Sequence, residues 1–228
     1  MAKFSKIITE NNENLLINKF IEKFKAQVSK KLKLSKRFSF VLAGGKSPIK
    51  LYQKLSKTKQ IKWSKIDFFI GDERYVKENS KNSNIKLCKK YLLNKLKINK
   101  KQIFKIPTES KSLKKDTLKY EKKIRKYFFK KKISFDLILL GVGNDGHIAS
   151  LFKKNINLKN KKIVDYFKKE NLPRITLTIN SINKSKYIFL WAPNREKFYI
   201  VKKILTDKNL KYPASYLRKK NTFLFNSY

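Results

Sequence analysis

FDLILLGVGNDGHIASLF, residues 135–152, passes from a near-continuous apolar run into a glycine-rich turn and back into apolar sequence. Phe135 to Leu140 lacks the apolar–polar alternation of a half-exposed strand. It therefore predicts a strand buried on both faces, as in a parallel sheet covered by helices. Gly141, Gly143 and Gly146 then turn the chain, and the turn carries the single histidine of the 228-residue sequence, His147, two residues after Asp145. A histidine in that place either packs, caps a helix starting near Ile148, or carries chemistry.

The same succession of buried strand and helix extends outward on both sides. Residues 11–32 place Leu15, Leu16, Phe20, Phe24 and Val28 at helical spacing behind several asparagines able to cap. RFSFVLAGG predicts a buried strand ending in a glycine pair, and SPIKLYQKLSK a helix with Ser47 as N-cap and Pro48 at its first position. IDFFI, Ile66–Ile70, is the next strand and runs into GDERYV. A polar loop leads to a helix around IKLCKKYLLNKL, and QIFKIP to a short strand. Residues 111–130 predict a lysine-rich helix carrying Leu113, Leu118, Ile124 and Tyr127. Beyond the histidine, RITLTI and KYIFLWA are strands, NREKFYIVKKIL a helix, and ASYLRKK with TFLF a short helix and a last strand. The expected fold is α/β, a mainly parallel sheet with helices on both faces. No Pro/Gly/Ser-rich linker divides residues 1–228, so one domain is expected.

Charge is the loudest compositional feature, with 58 Lys+Arg against 16 Asp+Glu and a net charge of +42. A polyanion partner such as nucleic acid is one reading of it. The charge is spread along the whole chain, however, and the aromatics sit inside apolar runs such as FDLILL and YIFLW, which marks them as core rather than as a base-stacking platform. No specific nucleic-acid partner is expected; non-specific polyanion binding and attraction of a small anionic substrate both follow from such a field. MAKFSKIITENNEN holds no apolar run of signal-peptide length, and no stretch approaches a membrane span. The expectation is a soluble cytoplasmic protein without a membrane partner. A single cysteine, Cys88, excludes an internal disulfide and a multi-cysteine zinc site. With one histidine besides, no metal is expected.

Three polar clusters follow strands, and a parallel sheet would gather them at one edge, where such folds bind ligands. In AGGKSP, Ala43–Pro48, Gly44 and Gly45 let backbone N–H groups approach a ligand at a helix start, where a phosphate fits; Lys46 and the Ser47 hydroxyl add contacts. The spacing is not that of a Walker loop. In GDERYV, Arg74 offers a planar fork of donors to a phosphate, with Asp72 and Glu73 able to position it; a salt-bridged loop is the alternative. In GVGNDGH, His147 can take a proton from water near neutral pH, and Asp145 could orient its ring or a substrate hydroxyl.

Together these clusters resemble the 6-phosphogluconolactonase family. The resemblance runs from AGGKSP through GDERYV, the Ser83-Asn84 pair, LLGVGNDGHIASLF, PRITLT and the Glu196-Lys197 pair to the PAS of Pro213–Ser215. The related glucosamine-6-phosphate deaminases share a DGHIA turn but follow it with Phe-Asn-Glu, where this chain has Ser150, Leu151 and Phe152, and they carry an MDEY-like segment in place of GDER. The resemblance implies a Rossmann-like fold without a nucleotide, no cofactor, and metal-free hydrolysis of 6-phosphogluconolactone in the oxidative pentose phosphate pathway. It implies His147 as base and the AGGKSP loop with Arg74 as phosphate-binding elements, and it places Arg174 and Lys197 toward the substrate. Departures are Ala43, Lys46 and Ser47 in a loop that usually reads SGGSTP, and Lys77 and Lys153 where prolines are usual. The alternatives are an amino-sugar phosphate deaminase and a basic nucleic-acid-binding protein that retains the fold.

Overall fold

A computed structural model describes residues 4, 6–129, 131–168 and 172–227. Its strands are β1 (Lys6–Glu10), β2 (Phe38–Leu42), β3 (Ile66–Ile70), β4 (Asp72–Arg74), β5 (Ile103–Phe104), β6 (Leu137–Gly141), β7 (Val164–Phe167), β8 (Arg174–Leu177), β9 (Tyr187–Ala192) and β10 (Thr222–Ser227). Its α-helices are α1 (Glu13–Leu34), α2 (Ile49–Ser56), α3 (Asn84–Tyr91), α4 (Leu113–Tyr127), α5 (Ile179–Asn183) and α6 (Arg195–Thr206). The main sheet has the order β1-β10-β9-β6-β2-β3-β5, with every neighbouring pair parallel. A small antiparallel sheet, β4-β8-β7, stands beside it.

The apolar runs explain the main sheet. Every residue of β2 and β3 is buried, as are the first four of β6 and the last five of β9. Asp136, the one polar residue in FDLILL, is satisfied at the amino end of the sheet. It accepts from Ser39 N and Oγ at 2.9 Å each and pairs with Lys31 at 2.8 Å. Most of the aromatics form the core, as expected, while Phe129, Phe198 and Tyr199 are exposed. Phe20 of α1 lies 5.2 Å from Phe189, 5.6 Å from Trp191 and 5.2 Å from Phe225, centroid to centroid. Across the sheet, Phe69 stacks on Phe104 at 4.3 Å and meets Phe135 at 5.0 Å.

The topology fixes where a ligand fits. From β2 the sheet grows outward through β3 and β5; β6 then returns to the other side of β2, and β9 and β10 continue the opposite way. The loops after β2 and β6 therefore diverge, opening a crevice at the carboxyl ends of the strands.

Several sequence expectations need correction. Helix α1 starts at Glu13 as its asparagines suggest, with Asn12 Oδ1 accepting from Leu15 N at 3.0 Å, but Leu15 itself points outward. Ser47 does not cap α2. The helix begins at Ile49, its N-cap Pro48 makes no side-chain bond, and the Ser47 carbonyl accepts from Trp191 Nε1 at 3.1 Å. In α4, Leu118 is exposed and Tyr120 takes the core position, because its hydroxyl donates to Ile70 O of β3 at 2.8 Å and turns that face inward. The expected end of this helix at Lys130 lies outside the described residues. Strands β1, β4 and β7 and the short α5 have no counterpart among the expectations. Among the described residues no helix is long and apolar enough to cross a membrane.

Candidate active site

A cleft of about 210 Å³ opens at the switch point. Gly44, Gly45 and Ser47 come to it from the loop after β2, Asp72 and Arg74 from β4, and Gly143 and His147 from the turn after β6; Asn84, Arg174 and Lys197 also line it. Lys46 and Asp145 do not line it. Lys46 is exposed, which leaves its head in solvent.

The histidine sits on a closed loop rather than a helix start. Gly143 N donates to His147 O at 2.8 Å and Gly146 N to Gly143 O at 2.9 Å, while Ile148 bridges Val142 and Leu151. No helix begins at Ile148, so the capping role is ruled out. Two glycines make this turn possible. Gly146 has φ of +76°, and a Cβ there would meet the Tyr212 side chain at 2.8 Å. A Cβ on Gly143 would lie 2.1 Å from His147 Nδ1. The imidazole is thus packed directly against bare backbone.

Asp145 Oδ1 lies 2.5 Å from His147 Nδ1 and accepts from His147 N at 3.2 Å. Burial would raise the Asp145 carboxyl, but the hydrogen bonds from the His147 ring and backbone outweigh it and hold the acid below the usual carboxylate range. The acid therefore stays ionised, and it fixes Nδ1 as the protonated nitrogen. Nε2 is left as the atom that can take a proton from water.

Opposite the histidine is an arginine pair. Arg74 of β4 and Arg174 of β8 face one another directly in the antiparallel register. Like charges so placed repel unless an anion lies between their donors. Burial first, and then the Arg74 charge, push the Arg174 guanidinium below its ordinary value, with Asp72 and Glu73 opposing. Both carboxylates are engaged elsewhere. Glu73 turns under α3 and accepts from Asn84 N at 2.7 Å, Ile85 N at 2.8 Å and Arg74 N at 2.9 Å. Its burial lifts the carboxyl to about 7, against those N–H donors. Asp72 accepts from Ser150 Oγ at 2.6 Å, and its carbonyl takes Asn84 Nδ2 at 2.8 Å. The arginine fork is the more cationic for it.

The structure thus brings Gly44, Gly45, Ser47, Arg74, His147, Arg174 and Lys197 to one cleft and puts Asp145 behind the imidazole. Lys197, in the first turn of α6, donates to Asn144 Oδ1 at 2.5 Å and so ties that helix to the histidine turn. The sequence reading gave no role to Asn84, Ser150 or Trp191. Ser150 and Asp72 meet across 78 positions, a contact that no local pattern announces.

Fold and cleft together define an α/β protein whose switch-point cleft is lined by a pair of arginines and a histidine. Residues 11–225 match the family described as glucosamine-6-phosphate isomerases/6-phosphogluconolactonase, and the chain belongs to that family. It is 34% identical to a 6-phosphogluconolactonase of Thermotoga maritima, over 88% of either chain. To a 6-phosphogluconolactonase of Synechocystis it is 29% identical, over 91% of this chain and 88% of that one. The crystal structure of the Thermotoga maritima 6-phosphogluconolactonase superposes with a TM-score of 0.85 at 31% identity, covering 97% of this chain and 99% of the other.

Proposed function

We propose that this chain hydrolyses 6-phospho-D-glucono-1,5-lactone to 6-phosphogluconate in the oxidative pentose phosphate pathway, with no metal and no cofactor. One juxtaposition carries the reading: the Asp145–His147 pair and the Arg74–Arg174 fork meet in a single cleft. The phosphate seats on the two arginines and the N–H groups of Gly44 and Gly45, and Lys197 faces the sugar. Its grip holds the lactone carbonyl beside His147, so that binding energy remote from the reacting bond serves rate.

His147 Nε2 takes a proton from water as the water oxygen attacks the carbonyl carbon. The tetrahedral oxyanion is stabilised by nearby N–H groups or a cation. It collapses with loss of the ring oxygen, which takes the proton back from the imidazolium. The product acid ionises, so each turnover releases one proton. Asp145 holds the tautomer throughout.

The deaminase alternative is disfavoured by Ser150, Leu151 and Phe152 after the DGHIA turn and by GDER in place of an MDEY-like segment. Burial of the aromatics argues against a base-stacking nucleic-acid surface, so no specific nucleic-acid partner enters this reading. The same reading makes the protein cytoplasmic, where a sugar-phosphate lactone is formed and consumed. The test is proton release from the lactone, corrected for spontaneous opening, in wild type and His147→Ala. Removing a placed base should cost about 10²–10⁴-fold while leaving residual activity from the rest of the site. Wild-type kcat in the alanine variant, or ammonia release from glucosamine 6-phosphate in place of lactone hydrolysis, would overturn the proposal.

A further inference from the structure

Phe152 ends the ASLF segment behind two residues that line the cleft, His147 and Arg174. Its ring centroid lies 4.7 Å from that of His147, at an interplanar angle of 34°. The Arg174 guanidinium carbon lies 5.8 Å from the same centroid. One aromatic ring therefore touches both the base and half of the anion fork.

The frame under this ring is rigid. Phe152 N donates to Asn155 Oδ1 at 2.6 Å, and Asn155 Nδ2 donates to Ser150 O at 3.3 Å. Ser150 is fully buried and bonded to Asp72 at 2.6 Å. The imidazole, by contrast, is held at one ring atom by Asp145, whose side chain is 61% exposed. A single hydrogen bond at Nδ1 leaves the plane of the ring to be set by whatever packs on its face. Gly143 supplies bare backbone at one contact, and Phe152 supplies a planar wall at another.

We propose that Phe152 is a positioning residue that couples the anion fork to the base: its ring sets the plane of the His147 imidazole according to how Arg174 is engaged. The inference rests on the lactone-hydrolase reading of the cleft. A guanidinium and a forming imidazolium both draw on the negative face of one aromatic ring. An anion seated on Arg174 neutralises the first cation and leaves the ring face to the second. The base is then best placed when the phosphate is already bound, and an unphosphorylated lactone finds it less well set.

Phe152→Leu keeps apolar bulk and removes the aromatic face, while Phe152→Tyr retains both. In lactone hydrolysis the leucine variant is expected to lose about ten-fold in kcat with KM changed by less than about two-fold. The tyrosine variant should stay within about three-fold of wild type. His147 is the only histidine, so its Cε1 proton gives one resonance without assignment work. Inorganic phosphate should displace that resonance in wild type and Phe152→Tyr and leave it in place in Phe152→Leu. A leucine variant with wild-type kcat, equal losses in both variants, or a phosphate-dependent displacement that survives in Phe152→Leu overturns the coupling. A wild-type protein without lactonase activity defeats the reading of the reaction instead, and the phosphate titration then decides the coupling by itself. Should Phe152→Leu fail to fold by thermal unfolding, Phe152→Met makes the same comparison.

Discussion

Gly143→Ala tests the site through a single methyl group. Placed on the native backbone, that methyl lies 2.1 Å from His147 Nδ1 and 2.7 Å from Asp145 Oδ1. Non-bonded heavy atoms settle at roughly 3.5–4 Å, so the imidazole must retreat by more than ~1 Å and part from its carboxylate. Gly143 is not among the residues with positive φ, so alanine adds no backbone strain, and the flexible side chains absorb the clash. A displacement of about 1 Å at a reacting group costs on the order of 10²-fold. The expected result is a fall in kcat of about 100-fold, equal to about 2.7 kcal/mol of barrier. KM should move by less than about three-fold, because the arginine fork lies on a different sheet and is untouched. Proton release at constant pH, corrected for spontaneous opening, measures both parameters. A variant with kcat within about three-fold of wild type, or one whose loss falls in KM, would refute the placement of the base against bare backbone.

Two further outcomes follow from the charges. Arg74→Ala should raise KM for the phosphorylated lactone by about 10- to 100-fold, since a charge-assisted bond contributes ~1.5–3 kcal/mol, and should leave hydrolysis of the unphosphorylated lactone near its wild-type rate; equal losses on both substrates would contradict a phosphate role. Glu73 should leave a mark on stability, because its folded carboxyl ionises near 7 and its ordinary value is 4.5. Between these values the unfolded chain holds fewer protons than the folded one, so this group's contribution is fully present below pH 4.5 and is lost as pH rises to about 7. The stability of Glu73→Gln relative to wild type should therefore improve by about 3 kcal/mol across that window in urea unfolding. A flat difference would contradict the shift.

The central sheet was legible because β2, β3, β6 and β9 are mostly apolar on both faces and alternate with helical patterns, a combination that a covered parallel sheet accommodates. Strand β4 was not, since Asp72, Glu73 and Arg74 have no strand character of their own and become extended only by pairing with β8. Strand β1 was missed because Lys6, Ile7 and Thr9 are exposed at an edge, leaving little hydrophobic signal. In the site, the glycines, His147 and Arg74 could be picked out because their chemistry is local, in the bare backbone of the glycines and in the side chains of the other two, whereas Arg174 entered only through the family resemblance. Ser47 was misread because the cap it suggests is local, whereas its carbonyl is claimed by Trp191, 144 residues away. Phe152 carried a family signature but no role, since its importance lies in two neighbours that only the folded chain brings to it.

The edge of the main sheet also sets an order of assembly. β1 pairs in register with β10 alone, Lys6 opposite Phe223 through Glu10 opposite Ser227. β1 leaves the ribosome long before β10 and thus has no edge to join until β10 has been made. During synthesis β2, β3 and β6 can gather while β1 waits, still tethered to α1, and closing that edge spans nearly the whole chain. Contacts of such sequence separation are slow to form. The strand left unpaired longest is therefore β1, and in a crowded nascent chain its open edges are where mispairing begins.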